Sequence, residues 1–258
     1  MTHESWGSSM KLISICNHKG GCGKSATATN LAACLALKGK RVLLIDLDPQ
    51  CTASDALGLD VENLGKQMFD VVLKEASLAD IIRPTEIANL SIAPCNMDLK
   101  VAEKQIEGQN GNEYILKEQL PSLDGFDFII MDTPPNIGPL TLNSMAVATE
   151  LIIPIQCEYC SLRGMSQLMN VADMAEEALG NQPKRRILLT MYTRTNIGNQ
   201  VVEAVRSHYG QNTYHTVIPR NVKVAEGPAQ GKPVCIYAPD STGSIAYQAL
   251  AEEVLQDE

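Results

Sequence analysis

Short apolar runs and longer amphipathic or small-residue segments alternate along the chain. Short runs that are apolar at almost every position are typical of parallel strands, because helices cover both faces of such a sheet. The predicted strands are residues 12–16, 41–45, 90–93, 126–131, 151–156 and 187–192, with a shorter strand-to-loop passage at 217–221. The predicted helices are residues 26–37, 67–74, 162–179 and 244–255. The alternation predicts an α/β fold, a doubly wound and mostly parallel sheet flanked by helices on both faces.

The chain is predicted to form one domain, residues 11–258, after a short leader. With 258 residues and 45% hydrophobic content, it can bury a core of its own. No internal repeat, low-complexity tract or linker interrupts the strand and helix pattern. Residues 1–10 are small and polar, so we expect a disordered leader outside the fold.

A glycine-rich stretch joins the first predicted strand to the first predicted helix, and it reads His18-Lys19-Gly20-Gly21-Cys22-Gly23-Lys24-Ser25. Glycines allow the backbone to curl so that successive N–H groups face one anion, and the helix that follows adds its positive end. Lys24 would neutralise the β- and γ-phosphates, and the Ser25 hydroxyl would bind Mg²⁺. The stretch therefore predicts a phosphate-binding loop, although His18 replaces the usual first glycine.

Acidic residues follow two of the buried runs. Asp46 and Asp48 end the second predicted strand, and Asp132 ends the strand at 126–131. Because parallel strands bring their carboxyl ends to one edge of the sheet, these carboxylates should approach the ligand of the phosphate loop. Asp132 is predicted to hold a water on the Mg²⁺ whose other ligand is Ser25.

Composition narrows the classes of protein that fit. The net charge of -9 argues against wholesale coating of nucleic acid, so any DNA contact needs a local basic patch. Eight scattered cysteines do not form a disulfide framework and suit a reducing compartment. No stretch approaches the roughly 18 apolar residues of a membrane span. We expect a cytoplasmic protein.

Together these motifs resemble the ParA/Soj-type partition ATPases, which have a deviant Walker A motif and belong to the ParA/MinD superfamily. The resemblance covers nearly the whole chain from Lys11. Its motifs are residues 19–25, 44–50, 132–135, 156–159, 194–196 and 218–222, followed by Glu226, Pro228, 231–233 and Tyr237. Two positions depart from the family pattern: Ala26 stands where a second threonine is usual, and Cys22 replaces an aliphatic residue.

The resemblance implies an ATP hydrolase that uses ATP and Mg²⁺. Two subunits would sandwich two ATP molecules, bind DNA without sequence preference, and release it after hydrolysis stimulated by a ParB-like or other cargo-bound activator. Lys19 would contact the partner's ATP, Asp48 would orient the attacking water, and Asp46 would support the Mg²⁺ shell. The implied nucleotide-binding residues are Lys19, Gly20, Gly21, Cys22, Gly23, Lys24, Ser25 and Ala26.

The DNA contacts implied by the resemblance are basic residues near the end of the chain: Arg194, Arg220, Lys223 and Lys232. They lie in the segment 184–232, which contains eight basic residues and only two acidic ones, Glu203 and Glu226. Contacts of this kind go to phosphates and are salt-sensitive. Association with the nucleoid is therefore expected, and no membrane partner.

Three alternatives stay open. Cys157 and Cys160 form a Cys-x-x-Cys pair that could hold an iron–sulfur cluster between subunits. A membrane-cycling ATPase of the MinD type is a second possibility, against which the acidic last helix, with Glu252 and Glu253, counts. A ligase similar to dethiobiotin synthase is a third, for which no small-molecule pocket is evident in the sequence.

Overall fold

The computed structural model describes residues 10–257, without the side chains of residues 159–168. The predicted leader, residues 1–10, lies outside the described residues except for its last position. The side chain of Cys160 also lies outside them.

The strands are β1 Lys11–Ile15, β2 Val42–Asp46, β3 Arg83–Pro84, β4 Leu90–Ala93, β5 Phe128–Asp132, β6 Glu150–Gln156, β7 Lys184–Tyr192 and β8 Thr213–Pro219. The α-helices are α1 Lys24–Leu37, α2 Thr52–Asp55, α3 Met68–Val72, α4 Leu78–Ile81, α5 Leu99–Ile106, α6 Ile115–Gln119, α7 Pro139–Val147, α8 Tyr159–Leu179, α9 Asn196–Tyr209, α10 Val222–Gln230, α11 Val234–Tyr237 and α12 Thr242–Gln256.

The described strands form one eight-stranded sheet in the order β3-β4-β2-β5-β1-β6-β7-β8. Neighbouring strands are parallel except for the β3–β4 pair. The prediction of a doubly wound, mostly parallel sheet is confirmed.

Two hydrophobic clusters cover the two faces of the sheet. Successive strand residues alternate between them: Leu43 belongs to one cluster and Leu44 to the other. One cluster includes buried residues of α1 and α12, and the other those of α3 to α9. Because both faces are buried, the strands have continuous apolar sequences, which is the pattern from which they were predicted.

The carboxyl ends of the central strands meet at one edge of the sheet. Asp132 of β5 is the register partner of Ile15 on β1 and of Asp46 on β2. The loops that leave this edge, after β1, β2, β5, β7 and β8, therefore surround one region. This region contains the candidate site.

No helix among the described residues is both long enough and apolar enough to cross a membrane.

Candidate nucleotide-binding site

The loop between β1 and α1 has the backbone conformation that phosphate binding needs. Gly21 has a φ of 72° and Gly23 a φ of 90°, which favours glycine at both positions. Gly23 is the N-cap of α1, so the first N–H groups of the helix open toward the loop. Backbone donors and the positive helix end thus point to one place, as an anion site requires.

The two lysines of the loop have different environments. Lys24 is 6% exposed, and its Nζ lies 3.4 Å from the carbonyl oxygen of Lys19, inside its own loop. Lys19 is half-buried, and its N–H donates to Asn17 Oδ1 at 2.9 Å. Cys22 is buried, and its thiol donates to the same Lys19 carbonyl at 3.2 Å. Cys22 therefore has a structural role in the loop that an aliphatic residue could not supply.

Asp132 is the residue that best fits a cation. Its side chain is fully buried, and neither carboxylate oxygen has a hydrogen-bond partner among the described residues. Burial, and then the charge of Asp46, raise the pKa of Asp132 well above its usual range, although the Ser25 hydroxyl and Lys24 oppose part of the rise. Carboxylate and hydroxyl oxygens are ligands that Mg²⁺ prefers. Ser25 and Asp132 therefore fit the predicted Mg²⁺ site.

Asp46 has its hydrogen bonds already satisfied. Its Oδ2 accepts from the Ser54 N–H at 2.8 Å and from the Ser54 hydroxyl at 2.7 Å, and its Oδ1 accepts from the Asp48 N–H at 3.2 Å. Burial raises the pKa of Asp46 to about 6 in spite of these bonds. Such a carboxylate is suited to stand behind the first ligand shell of an ion, as predicted from the resemblance.

Asp48 faces the opening of the site. It lines a cleft at this edge of the sheet, and its Oδ1 accepts from the Gln50 N–H at 3.0 Å. Burial raises the pKa of Asp48, and the positive charge of Lys24 opposes the rise. The carboxylate is thus fixed at the same edge as the phosphate loop, where it could orient a water.

A cleft of about 570 Å³ joins these parts. It lies between the phosphate loop, the segment after β2, and the segment from the end of β8 into α10. Its lining includes Gly20, Gly21, Gly23, Lys24, Ser25, Ala26, Asp48, Thr190, Met191, Pro219, Arg220, Val224 and Pro228. A volume of this size is ordinary for a small-molecule site.

Arg194, Arg220 and Lys223 lie at the carboxyl edge of the sheet, because they follow the ends of the neighbouring strands β7 and β8. The Arg220 N–H donates to Tyr192 O at 2.9 Å. Arg220 lies 3.5 Å from Glu158, and Lys223 lies 3.0 Å from Glu226. Lys232 follows the nine-residue helix α10, which is roughly 13 Å long, so it is at the opposite end from Lys223.

The expectation of one basic region across 184–232 needs correction. Lys184, Arg185 and Arg186 begin β7, at the edge opposite the cleft. Each forms an ion pair of 3.2 Å or less with an acid from elsewhere in the chain. Lys184 and Arg186 pair with Asp257, and Arg185 pairs with Asp173 and Glu176. A count of acids within residues 184–232 could not reveal these pairs, because the acids lie in α8 and near the end of the chain and only the fold brings them to β7.

Two of the alternatives gain no support from the described residues. Cys157 is buried in the core, where burial raises its pKa to about 11. Among the described residues, no three or more His, Cys, Asp or Glu side chains lie together in a way that could hold a metal ion. The apolar face of α12, including Tyr247, Leu250 and Val254, is buried against the sheet, so it does not present that face to a bilayer.

Thr190 and Gln156 contact the phosphate loop. Sequence reasoning missed Thr190, and it included Gln156 in the motif 156–159 without giving it a role. The Thr190 hydroxyl donates to Cys22 O at 2.9 Å, and Gln156 Nε2 donates to Gly21 O at 2.7 Å. Both residues are polar and come at the carboxyl end of an apolar run, which is the signal that identified Asp46 and Asp132. The same rule, applied to uncharged side chains, would have found them.

The chain has clear relatives. Residues 10–185 match the family model of an AAA domain. The chain is 41% identical over 247 residues to the sporulation initiation inhibitor protein Soj of Bacillus subtilis, with 95% of this chain and 98% of that protein covered. It is 39% identical over 254 residues to the chromosome partitioning protein ParA of Myxococcus xanthus, with 97% and 90% covered.

Among solved structures, the fold is similar to cobyrinic acid a,c-diamide synthase from Mycobacterium smegmatis with bound ADP and magnesium. The TM-score is 0.83 and the identity 31%, with 96% of this chain and 94% of that chain covered. The sheet, the loop and the strand-end acids define a P-loop nucleotide-binding protein with two loop lysines. The chain belongs to the ParA/Soj family of chromosome-partitioning ATPases.

Proposed function

We propose that this protein is an ATPase that binds DNA non-specifically as an ATP-bound dimer and thereby segregates or positions a plasmid, a chromosome or another large cargo. ATP with Mg²⁺ is its cofactor, as the sequence predicts. One observation carries the proposal: Arg220 lines the nucleotide cleft, and its backbone N–H donates to Tyr192 O, two residues before Arg194. The carboxyl edge of the sheet that carries Arg194, Arg220 and Lys223 is called the basic edge. Nucleotide and DNA would thus share one edge of the sheet.

The residues divide the chemistry between them. Bound Mg²⁺ would offset phosphate charge as a Lewis acid, held by Ser25 and, through water, by Asp132, with Asp46 behind them. Lys24 and the backbone N–H groups of the loop hold the phosphates, and Asp48 orients the water. The proposed role of Asp48 is to position the attacking water and not to deprotonate it, since a carboxylate is too weak a base to ionise water.

Dimer formation would complete the site. Lys19 of each subunit is proposed to reach the other subunit's ATP and to stabilise charge there, as an arginine finger does. Hydrolysis would be slow alone and faster with a ParB-like or other cargo-bound activator. The acidic character of the chain suits a basic activator segment. The protein would be associated with the nucleoid while it holds ATP.

The test is binding to non-specific duplex DNA with ATP, with ADP and without nucleotide, over a salt series. Arg220→Ala should weaken ATP-dependent binding by at least tenfold, because a phosphate contact is lost in each subunit. Lys184→Ala is the matched control, since Lys184 is equally basic but lies at the other end of β7. It should bind like the unmodified protein.

The result that contradicts the proposal is ATP hydrolysis without DNA binding in any nucleotide state. Equal losses in Arg220→Ala and Lys184→Ala would place the DNA surface elsewhere. Liposome sedimentation and a visible absorption spectrum of the purified protein would then test the membrane and cluster alternatives.

A further inference from the structure

The carbonyl groups of the phosphate loop are held from outside by two side chains. Gln156, at the end of β6, donates to Gly21 O at 2.7 Å, and Thr190, near the end of β7, donates to Cys22 O at 2.9 Å. In a trans peptide the C=O and the next N–H point in opposite directions. The two bonds therefore set the directions of the Cys22 and Gly23 N–H groups, which belong to the phosphate-binding backbone.

The next residue of β7 has an unusual backbone. Met191 has a φ of 51°, a left-handed conformation that is sterically unfavourable for a residue other than glycine. The register between β7 and β8 is irregular between Leu189 and Tyr192, so the strand bulges at this point. Gln156 Nε2 also lies 3.3 Å from the Met191 sulfur. The side chain that holds Gly21 thus also contacts the bulge.

Tyr192, the residue after Met191, contacts the backbone of Arg220. Tyr192 O accepts the hydrogen bond from the Arg220 N–H at 2.9 Å, and Arg194 follows two residues later in the chain. Residues 190–192 therefore link the two regions: Thr190 contacts the phosphate loop, and Tyr192 accepts the hydrogen bond from the Arg220 backbone. Strained backbone of this kind is found at switch regions.

We propose that the bulged end of β7, residues 190–192, couples nucleotide binding to the DNA-binding edge. Phosphate that reorients the 21–23 peptides changes the hydrogen bonds of Thr190 and Gln156. The bulge then changes the position of Tyr192 O, and with it the loops of Arg220 and Arg194. The inference rests on the proposed function, because it assumes that these arginines bind DNA. Coupling of this kind is reciprocal, so DNA must raise the affinity for ATP by the same factor.

The experiment measures the coupling ratio, which is the DNA Kd without nucleotide divided by the DNA Kd with a saturating non-hydrolysable ATP analogue. Thr190→Val keeps the shape of the side chain and loses its donor, and the ratio should fall at least fivefold. Thr190→Ser restores the hydroxyl and should restore the ratio. A role for Thr190 in packing alone would weaken analogue binding but would leave the ratio at saturation unchanged.

A second variant keeps the test decisive if Thr190→Val does not fold. Met191→Gly suits a positive φ, so the variant should fold well. The substitution removes the contact of Gln156 with the Met191 sulfur, and it relieves the backbone strain at this position. Its coupling ratio should also fall at least fivefold. The reciprocal measurement, analogue affinity with and without DNA, should change by the same factor as the ratio in every variant.

The inference is overturned if Thr190→Val and Met191→Gly keep the ratio of the unmodified protein. It is also overturned if the ratio falls only because the analogue no longer produces dimers, which sedimentation detects. Failure of the proposed function looks different, because the unmodified protein would then bind no DNA in any state.

Discussion

Asp132 is a fully buried carboxyl group whose oxygens have no hydrogen-bond partner among the described residues. Its charged form is unfavourable there without hydrogen bonds or an ion, and its pKa is raised for this reason. Asp46 lies beside it as its register partner, which adds repulsion between like charges. The rest of the fold must offset this cost, and a Mg²⁺ ion would remove it. The stability of the fold and the chemistry of the site therefore make opposite demands on this residue.

Asp132→Asn tests this opposition. The amide has nearly the shape of the carboxylate without its charge, so the variant without nucleotide should gain about 1 kcal/mol in stability. For a chain of this size that corresponds to a rise in Tm of roughly 2–4 °C. The stabilisation by Mg²⁺ and ATP, measured as the shift in Tm on adding both, should be largely lost.

Asp127→Asn is the matched control, because Asp127 directly precedes the same strand. Its carboxylate lies 3.0 Å from Arg41 Nη2, and that guanidinium lowers the pKa of Asp127. The control should therefore lower Tm slightly and leave the Mg²⁺ and ATP shift intact. A lower Tm for Asp132→Asn without nucleotide would contradict the account of its burial.

Helix α12 covers the open edge of the sheet at β8. Edge strands leave backbone N–H groups unpaired, and such edges invite association with other chains. Glu253 of α12 accepts the N–H groups of His215 at 2.6 Å and Thr216 at 3.0 Å. Its carboxylate also lies 3.7 Å from Arg186. One side chain thus joins the last helix to two strands.

Glu253→Ala should destabilise the fold by about 2 kcal/mol, because it leaves two backbone donors and a buried guanidinium with fewer partners. The corresponding loss in Tm is roughly 4–8 °C. Glu252→Ala is the control: Glu252 is 62% exposed in its pair with Lys38, and its loss should change Tm little. Equal Tm changes in the two variants would show that the edge contact contributes nothing special.

Apart from the short β3, the described strands could be predicted, because burial of the sheet on both faces leaves a clear apolar pattern. Three of the four longest described helices, α1, α8 and α12, were also predicted, whereas α9, Asn196–Tyr209, was not. The phosphate-loop helix and the last helix were predicted to within two residues of their bounds. Helix α7 was not predicted, because it is buried on nearly every side and its buried positions mix polar and apolar residues, so its sequence shows no helical periodicity. Helix α5 was missed because its buried positions, Leu99, Ala102 and Ile106, are too few to stand out.

The site was predictable where a motif or a strand-end acid marked it. Its supporting contacts were not, since Thr190 and Cys22 are 168 positions apart and only the fold brings them together. The acids that pair with Arg220 and Arg186 come from other elements for the same reason. Sequence identified the chemical groups of the site, whereas their positions depend on the register of the sheet.

Across the whole molecule, charge is distributed unevenly. The chain carries a net charge of -9, yet Arg194, Arg220 and Lys223 gather at the edge that also opens to the nucleotide. Glu158 and Glu226 lie beside two of these cations. If the proposed function holds, DNA phosphates would compete with carboxylates of the protein itself, and DNA binding would require the geometry that ATP and a second subunit provide.

Assembly depends on Lys19 if the second loop lysine serves the partner subunit. Lys24 points into its own loop, so Lys24→Ala should abolish ATP binding. Lys19→Ala should retain ATP affinity to within about fivefold, since Lys24 and the loop backbone remain and the loss of one partly exposed charge costs about 1 kcal/mol or less, but it should no longer dimerise with ATP in sedimentation. His18→Ala, the exposed neighbour, should dimerise normally. If Lys19→Ala dimerises at the same protein concentration as the unmodified chain, the lysine serves its own loop and the sandwich arrangement is wrong.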